Sequence, residues 1–298
     1  MIRFVRGFTK RIALPAVLAL LALACARHDQ REIASDDFGD PLQLSAPAQR
    51  IVSLSPTTTE ILFALGAGAR LVGRTHWDLY PDSARLVPDL GNGMRPNVEA
   101  VLGQRPDLVV LYAGHENRDA ALALRAAGVN TLALRVDRLD QLWRAVRLLG
   151  LATGHADRAA RVIDSVKATL DSVRGITRGL ERPSVFLHAW ENPLLTIGAG
   201  SYLSELVEIA GGRNVFADLA APSPQVSFEE VLRRNPDAVL AGPVTARQLQ
   251  QSARWQALPA VRAGRVLAMD TLLAGRPGVR VGEAALSFAR LLHPDRVR

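Results

Sequence analysis

Apolar positions along this chain fall into two rhythms. Short runs such as Ile51-Val52-Ser53-Leu54, Leu108-Val109-Val110-Leu111 and Val185-Phe186-Leu187 have the length and composition of buried strands. The pattern predicts strands over 50–54, near Leu71-Val72, and over 107–112, 130–134, 184–187 and 264–269. Helical spacing fills the intervals. A helix opens at Ser55-Pro56-Thr57-Thr58-Thr59-Glu60, capped by Ser55 or Thr57, and ends at Gly66 and Gly68. Others are predicted over 117–127 (stopped by Gly128), 139–149, 201–210 (capped by Ser201, stopped by Gly211-Gly212) and 281–292. Strands that alternate with helices predict parallel sheets and an α/β fold.

Residues 156–179 break that alternation. Ala159, Val162, Ile163, Val166, Leu170, Val173 and Ile176 recur at three and four with Arg and Asp between them. This predicts one amphipathic helix about 33 Å long, at 1.5 Å per residue, ending before Pro183. Such a helix could be a rigid strut between two lobes or a surface helix of one. A stiff strut would keep any closure of the lobes small.

On either side of it the chain repeats itself. Residues 98–111 align without a gap on 228–241, with identities at Glu99/Glu229, Val101/Val231, Leu102/Leu232, Pro106/Pro236, Asp107/Asp237 and Val109/Val239. Each copy reads as a short helix, a Pro-Asp stop and a buried strand. Two similar lobes with a cleft between them would follow, and such clefts are where small molecules bind. A common α/β turn occurring twice is the other reading. The duplicated reading predicts two α/β lobes with parallel central sheets over 48–154 and 182–298, with a bridging helix over 155–181.

The N-terminus has a different character. Arg3, Arg6, Lys10 and Arg11 precede the apolar stretch Ile12 to Ala24, too short to span a bilayer comfortably. Residues 1–24 therefore read as a signal peptide. Cys25, the only cysteine, follows Leu21-Ala22-Leu23-Ala24, a pattern similar to the bacterial lipobox. Acylation there would hold the protein at a membrane surface, with 25–47 as lipid anchor and flexible tether. An ordinary signal peptide with a chance cysteine is the alternative. The formal charge of +7 includes the four cations of the leader, so the mature chain carries +3. Without a dense basic stripe interleaved with aromatics, that value gives no case for a nucleic-acid partner.

The ordered segments resemble class III periplasmic binding proteins, receptors of ABC importers for cobalamin, haem and ferric siderophores, and most of all the cobalamin-binding members. The matching residues are Arg50 to Glu60, Pro106-Asp107-Leu108-Val109-Val110, Ala210-Gly211-Gly212-Arg213-Asn214-Val215-Phe216, Ser223-Pro224-Gln225-Val226-Ser227 before Glu229, and Leu273 to Gly278. The resemblance covers about 48–296. It implies two lobes bridged by one long helix, a periplasmic or cell-surface location, and an ABC permease dimer with its ATPase subunits as partner. No resident cofactor or metal is implied; the cargo is a small metal chelate.

The resemblance also implies roles for individual residues. Glu99 and Glu229 would dock on arginines of the two permease subunits; as first-turn acids behind the caps Asn97 and Ser227, they could equally be local helix stabilisers. Trp77, Tyr80, Tyr112 and Trp190 would line the cleft with flat faces, and Arg276 would meet an anionic group. Trp143 and Trp255 read as packing residues. Two positions depart from the cobalamin receptors: Gly93, or a close neighbour, stands for a tryptophan, and Ser223 stands before Pro-Gln-Val-Ser where they have another. Both remove stacking surface, which leaves the cargo open between a corrinoid, haem and a ferric siderophore. His76, His115 or His188 could ligate haem iron or cobalt, and Tyr80 or Tyr112 ferric iron. No His, Asp and Glu spacing is that of a zinc site. An exported hydrolase is the rival of another class, with Ser201 as nucleophile and His188 as the nearest base, although Gly-x-Ser-x-Gly is not satisfied.

Overall fold

A computed structural model describes residues 35–297. Residues 1–24, read above as a signal peptide, and Cys25 lie outside the described residues. The first sheet forms from β1 (Ile51–Ser53), β2 (Leu71–Gly73), β3 (Leu108–Tyr112) and β4 (Asn130–Leu134). Its order is β2-β1-β3-β4, all parallel. The connecting helices are α1 (Pro56–Ala64), α2 (Val98–Gly103) and α3 (Arg118–Ala126). After β4 comes α4 (Leu139–Thr153), longer at its C-terminus than expected, because Leu148, Leu149 and Ala152 continue its buried face up to Gly154. Gly154, at φ 71°, supplies the left-handed stop.

The long periodic segment forms α5 (Ala156–Thr177), a single helix of 22 residues. It buries Ala159, Ile163, Val166, Leu170 and Val173, while Ile176 turns outward. The second lobe follows with β5 (Ser184–Trp190), β6 (Leu195–Thr196), α6 (Tyr202–Ile209), β7 (Arg213–Asn214), α7 (Phe228–Arg234), β8 (Ala238–Ala241) and α8 (Pro243–Gln251). It ends with α9 (Pro259–Arg262), β9 (Val266–Ala268), α10 (Thr271–Ala274) and α11 (Val281–Leu292). In its sheet, β5, β8 and β9 run parallel in that order, and both β6 and β7 pair with β5. The β5–β6 pairing is antiparallel, an element the sequence reading did not contain. One face of α5 meets α4 of the first lobe, and it also packs on α11 and α6 of the second. It thus lies between the lobes as a shared rod.

The internal repeat has a concrete structural meaning. Asp107 accepts hydrogen bonds from the Gln49 and Arg50 amides at 2.8 and 3.0 Å. Asp237 accepts from the Ser184 amide and hydroxyl at 2.7 and 2.6 Å. Each aspartate, at the start of a central strand, secures the entry of the adjacent strand, β1 or β5. The residues two positions earlier, Arg105 and Asn235, take φ 49° and 41°. A following proline disfavours right-handed helical geometry, so both helices terminate there in the same left-handed turn.

One expectation needs correction. Residues 35–47, assigned to a flexible tether, are built into the first lobe. The buried Asp36 carboxylate accepts from the Ala133 amide and from Arg125, each at 3.0 Å. Asp37 donates its amide to the Ala133 carbonyl and accepts from the Arg135 amide and from Arg144. β4 is an edge strand with unpaired backbone groups, and this segment satisfies them.

Candidate functional site

A cleft of about 610 Å³ opens between the lobes. The first lobe supplies the turn after β1 (Leu54 to Thr58), Thr75 and Trp77 after β2, the loop 92–94, Tyr112 at the end of β3, and Leu134, Val136 and Asp137 at and after the end of β4. These are carboxyl ends of parallel strands, the general location of ligands in open α/β sheets. The second lobe contributes Ile197, the turn Ser201-Tyr202-Leu203, Pro222, Ser223, Gly275 and Pro277. Most of this wall is apolar. Asp137 is its single charged member among the described residues.

Trp77 is at the rim, 59% exposed, with its ring 4.5 Å from that of His76. Its loop is held from beneath. The buried Asp78 carboxylate accepts hydrogen bonds from the Thr59 and Thr75 hydroxyls. Burial pushes the Asp78 carboxyl above the usual range, and those hydroxyls oppose the shift. From the other lobe, Arg276 donates to the Trp77 carbonyl at 2.6 Å. Arg276 does not line the cleft. It is spent on this backbone contact, with Glu60 and Asp78 nearby and burial drawing its pKa down.

Tyr112 lines the wall at the end of β3. Its hydroxyl donates to Asp137 at 3.0 Å, and Asn117 donates to its carbonyl, also at 3.0 Å. Burial first, then the Asp137 charge, pushes the phenol up to about 12. It therefore remains a neutral donor near pH 7. Behind it, Asn117 Oδ1 is a buried side-chain atom without a hydrogen-bond partner.

Two expected aromatics lie elsewhere. Tyr80 is not in the wall; the Arg280 guanidinium stacks 3.7 Å from its ring centre. Trp190 is 61% exposed, outside the cleft, because β5 runs on to it and turns back through β6. Its indole N–H donates to the Asn192 carbonyl at 2.9 Å. The second lobe instead presents Tyr202, whose hydroxyl donates to the Ala274 carbonyl at 2.6 Å and whose amide donates to Asp137 O at 2.6 Å. Burial raises the Tyr202 pKa. Trp255 is a core residue beside Phe186 and Phe228, and Trp143 is half-buried under Lys167.

Among the described residues, every histidine lies outside the wall. His115 faces solvent beside Glu116, and His188 is buried with its Nε2 at 2.8 Å from Glu191. Among the described residues no group of three His, Cys, Asp or Glu could hold a metal ion. Ser201 does line the cleft, but its hydroxyl accepts from the Leu203 amide as the cap of α6. His188, its proposed base, is held by Glu191 and does not line the cleft, and no hydrogen bond joins it to Ser201.

Gly93 lines the wall with no room for a side chain. A Cβ there would lie 2.1 Å from the Leu54 carbonyl oxygen. Its neighbour Met94, half-exposed, provides the soft apolar surface at that corner. The residues that sequence reasoning missed are Met94, Asp137 and Tyr202. Asp137 had a usable signal, because it follows a predicted strand end. Tyr202 sat inside a predicted helix start and gave none.

Glu99 and Glu229 stand in the first turns of α2 and α7, one per lobe, both exposed. Asn97 caps the first helix through Ala100 N, and Ser227 caps the second through Glu230 N. Hydrogen bonds from its own backbone and from Ser227 hold the Glu229 carboxyl below the usual range. Neither glutamate forms an ion pair within 4.0 Å among the described residues, unlike Glu230, which meets Arg233 and Arg234.

Two α/β lobes that share one helical rod and enclose an apolar cleft define a bilobed solute-binding architecture. The chain belongs to the periplasmic binding protein family, whose pattern matches residues 51–272. It is 29% identical over 268 residues to an uncharacterised ABC transporter substrate-binding lipoprotein, YvrC, of Bacillus subtilis (strain 168), covering 87% of this chain and 85% of that one. It is 30% identical over 215 residues to the vitamin B12-binding protein of Yersinia pestis (strain Pestoides F), covering 71% and 77%. The crystal structure of the periplasmic vitamin B12-binding protein BtuF of Vibrio cholerae superposes with a TM-score of 0.73 at 27% identity, covering 83% of this chain and 98% of that one.

Proposed function

We propose that this protein is an extracytoplasmic receptor, anchored by lipid at Cys25 after removal of residues 1–24, that captures a corrinoid and delivers it to an ABC permease dimer with its ATPase subunits. One observation carries the choice of cargo: the cleft wall is mostly apolar, includes Trp77, Tyr112 and Met94, and among the described residues holds no cation and no cluster of three His, Cys, Asp or Glu that could take a metal. Haem carries two propionates, and many ferric siderophores carry net negative charge; both call for Arg or Lys in the wall. A corrinoid brings its metal enclosed by its own ring and a rim of neutral amides. The B12-binding relatives support this reading, and a relative named as a lipoprotein supports the anchor.

The receptor does no covalent chemistry. Its work is differential affinity: tight enough to scavenge, releasable when the permease opens the lobes. Glu99 and Glu229, one on each lobe, supply the docking charges, which set register and encounter rate.

Tryptophan fluorescence tests the cargo, because among the described residues Trp77 is the one tryptophan in the cleft wall. Purified mature protein titrated with cyanocobalamin should be quenched with one-to-one stoichiometry, and the quench should be largely lost in Trp77→Phe. Haemin and a ferric siderophore panel should quench only at far higher concentration. Saturation by haemin or a siderophore with no response to cyanocobalamin would overturn the corrinoid reading.

A further inference from the structure

Asp137 is a carboxylate in a wall that, among the described residues, has no other charged side chain. Its position is fixed from several sides. The Tyr112 hydroxyl donates to Oδ1 at 3.0 Å, its amide donates to Gln141 Oε1 at 2.8 Å, and its carbonyl accepts from the Tyr202 amide across the lobe boundary at 2.6 Å. The nearest guanidinium, Arg135, reaches Oδ2 only at 4.0 Å; it is half-exposed and spends a donor on the Ala113 carbonyl at 2.9 Å. Arg138 is turned away toward Ala199 O, Asp140 and Glu205. Asp137 thus keeps acceptor capacity at the cleft surface, next to a phenol that stays a donor.

We propose that Asp137 is a charge filter: it accepts hydrogen bonds from the primary amides of the cargo and repels analogues in which those amides are carboxylates. The proposal rests on the corrinoid reading above and deepens it. A primary amide offers two N–H donors, which a carboxylate in an apolar wall accepts well. A ligand carboxylate offers none and brings a like charge, with no cation in the wall to compensate it. The pairing with Tyr112 sharpens the choice, because the phenol occupies Oδ1 and leaves Oδ2 for the cargo.

Mild acid hydrolysis of cyanocobalamin converts side-chain amides to carboxylic acids without changing the ring, which gives a matched probe pair. Equilibrium titration of the mature protein should show cyanocobalamin binding at least about tenfold more tightly than its carboxylic acid derivatives at pH 7. Asp137→Asn keeps the Tyr112 acceptor and should shrink that ratio to about twofold or less. Arg135→Gln, which removes the one nearby positive charge, should widen it. Equal binding of amide and acid by the unmodified protein, or a ratio that Asp137→Asn leaves unchanged, would overturn the filter while the receptor reading stands. Failure of cyanocobalamin to bind at all would overturn both.

Discussion

Gly93 shows how one residue shapes this cleft. A Cβ at that position would sit 2.1 Å from the Leu54 carbonyl oxygen and 2.8 Å from Thr75 Cγ2, and the oxygen belongs to backbone that cannot swing aside. Gly93→Ala is therefore expected to cost about 1–3 kcal/mol in urea unfolding and to weaken cyanocobalamin binding by displacing the turn after β1. Unchanged stability would mean that the two loops are not in contact as described. The aromatic residues teach a related lesson about what a sequence reveals. Trp77 and Tyr112 were legible because they follow strand ends. Tyr80 and Trp190 obeyed the same rule and still missed the cleft. The competing influence was local: Arg280 covers the Tyr80 ring, and the hairpin after β5 carries Trp190 outward. Both depend on partners distant in sequence or on a two-residue strand too short to show periodicity.

At the scale of elements, the pattern was most readable where it was longest. The stripe from Ala159 to Val173 specified α5 almost to its ends, because 22 residues carry six turns of the same apolar face. The repeated Glu-x-Val-Leu and Pro-Asp signals located α2 with β3 and α7 with β8, since proline stops a helix and an aspartate can hold two backbone amides. Helices α8, α9 and α10 left no comparable mark; α9 and α10 have four residues each. The segment 35–47 looked like a tether because it is polar, but its aspartates are the groups that satisfy the open edge of β4. Helices α2 and α7 also carry Glu99 and Glu229, the glutamates proposed for docking, in their first turns. Glu99→Ala with Glu229→Ala should leave cyanocobalamin affinity within about twofold and reduce uptake in cells by at least about tenfold. Normal uptake in the double variant would show that these glutamates serve only their own helices.

As a whole, the molecule is two lobes restrained at several points rather than joined by a loose hinge. The rod α5 packs against helices of both. Glu60 of the first lobe is buried and receives Arg280 of the second through the backbone amide at 3.2 Å and the guanidinium at 3.1 Å. Burial pushes the Glu60 carboxyl up while Arg280 opposes the shift. On the other side, Arg138 donates to Ala199 O at 2.8 Å and the Tyr202 amide to Asp137 O. None of these long-range pairs could be read from one sequence, since each joins residues tens to hundreds of positions apart with no shared motif. They predict a cleft whose two walls are nearly preformed and meet the cargo together. Amide hydrogen exchange with and without cyanocobalamin tests this most directly. Slowed exchange is expected in both walls, at 54–58, 75–77 and 92–94 of the first lobe and 197–203 of the second, with α5 unchanged. Protection confined to one lobe, or appearing away from these segments, would contradict a receptor that holds its cargo between the lobes.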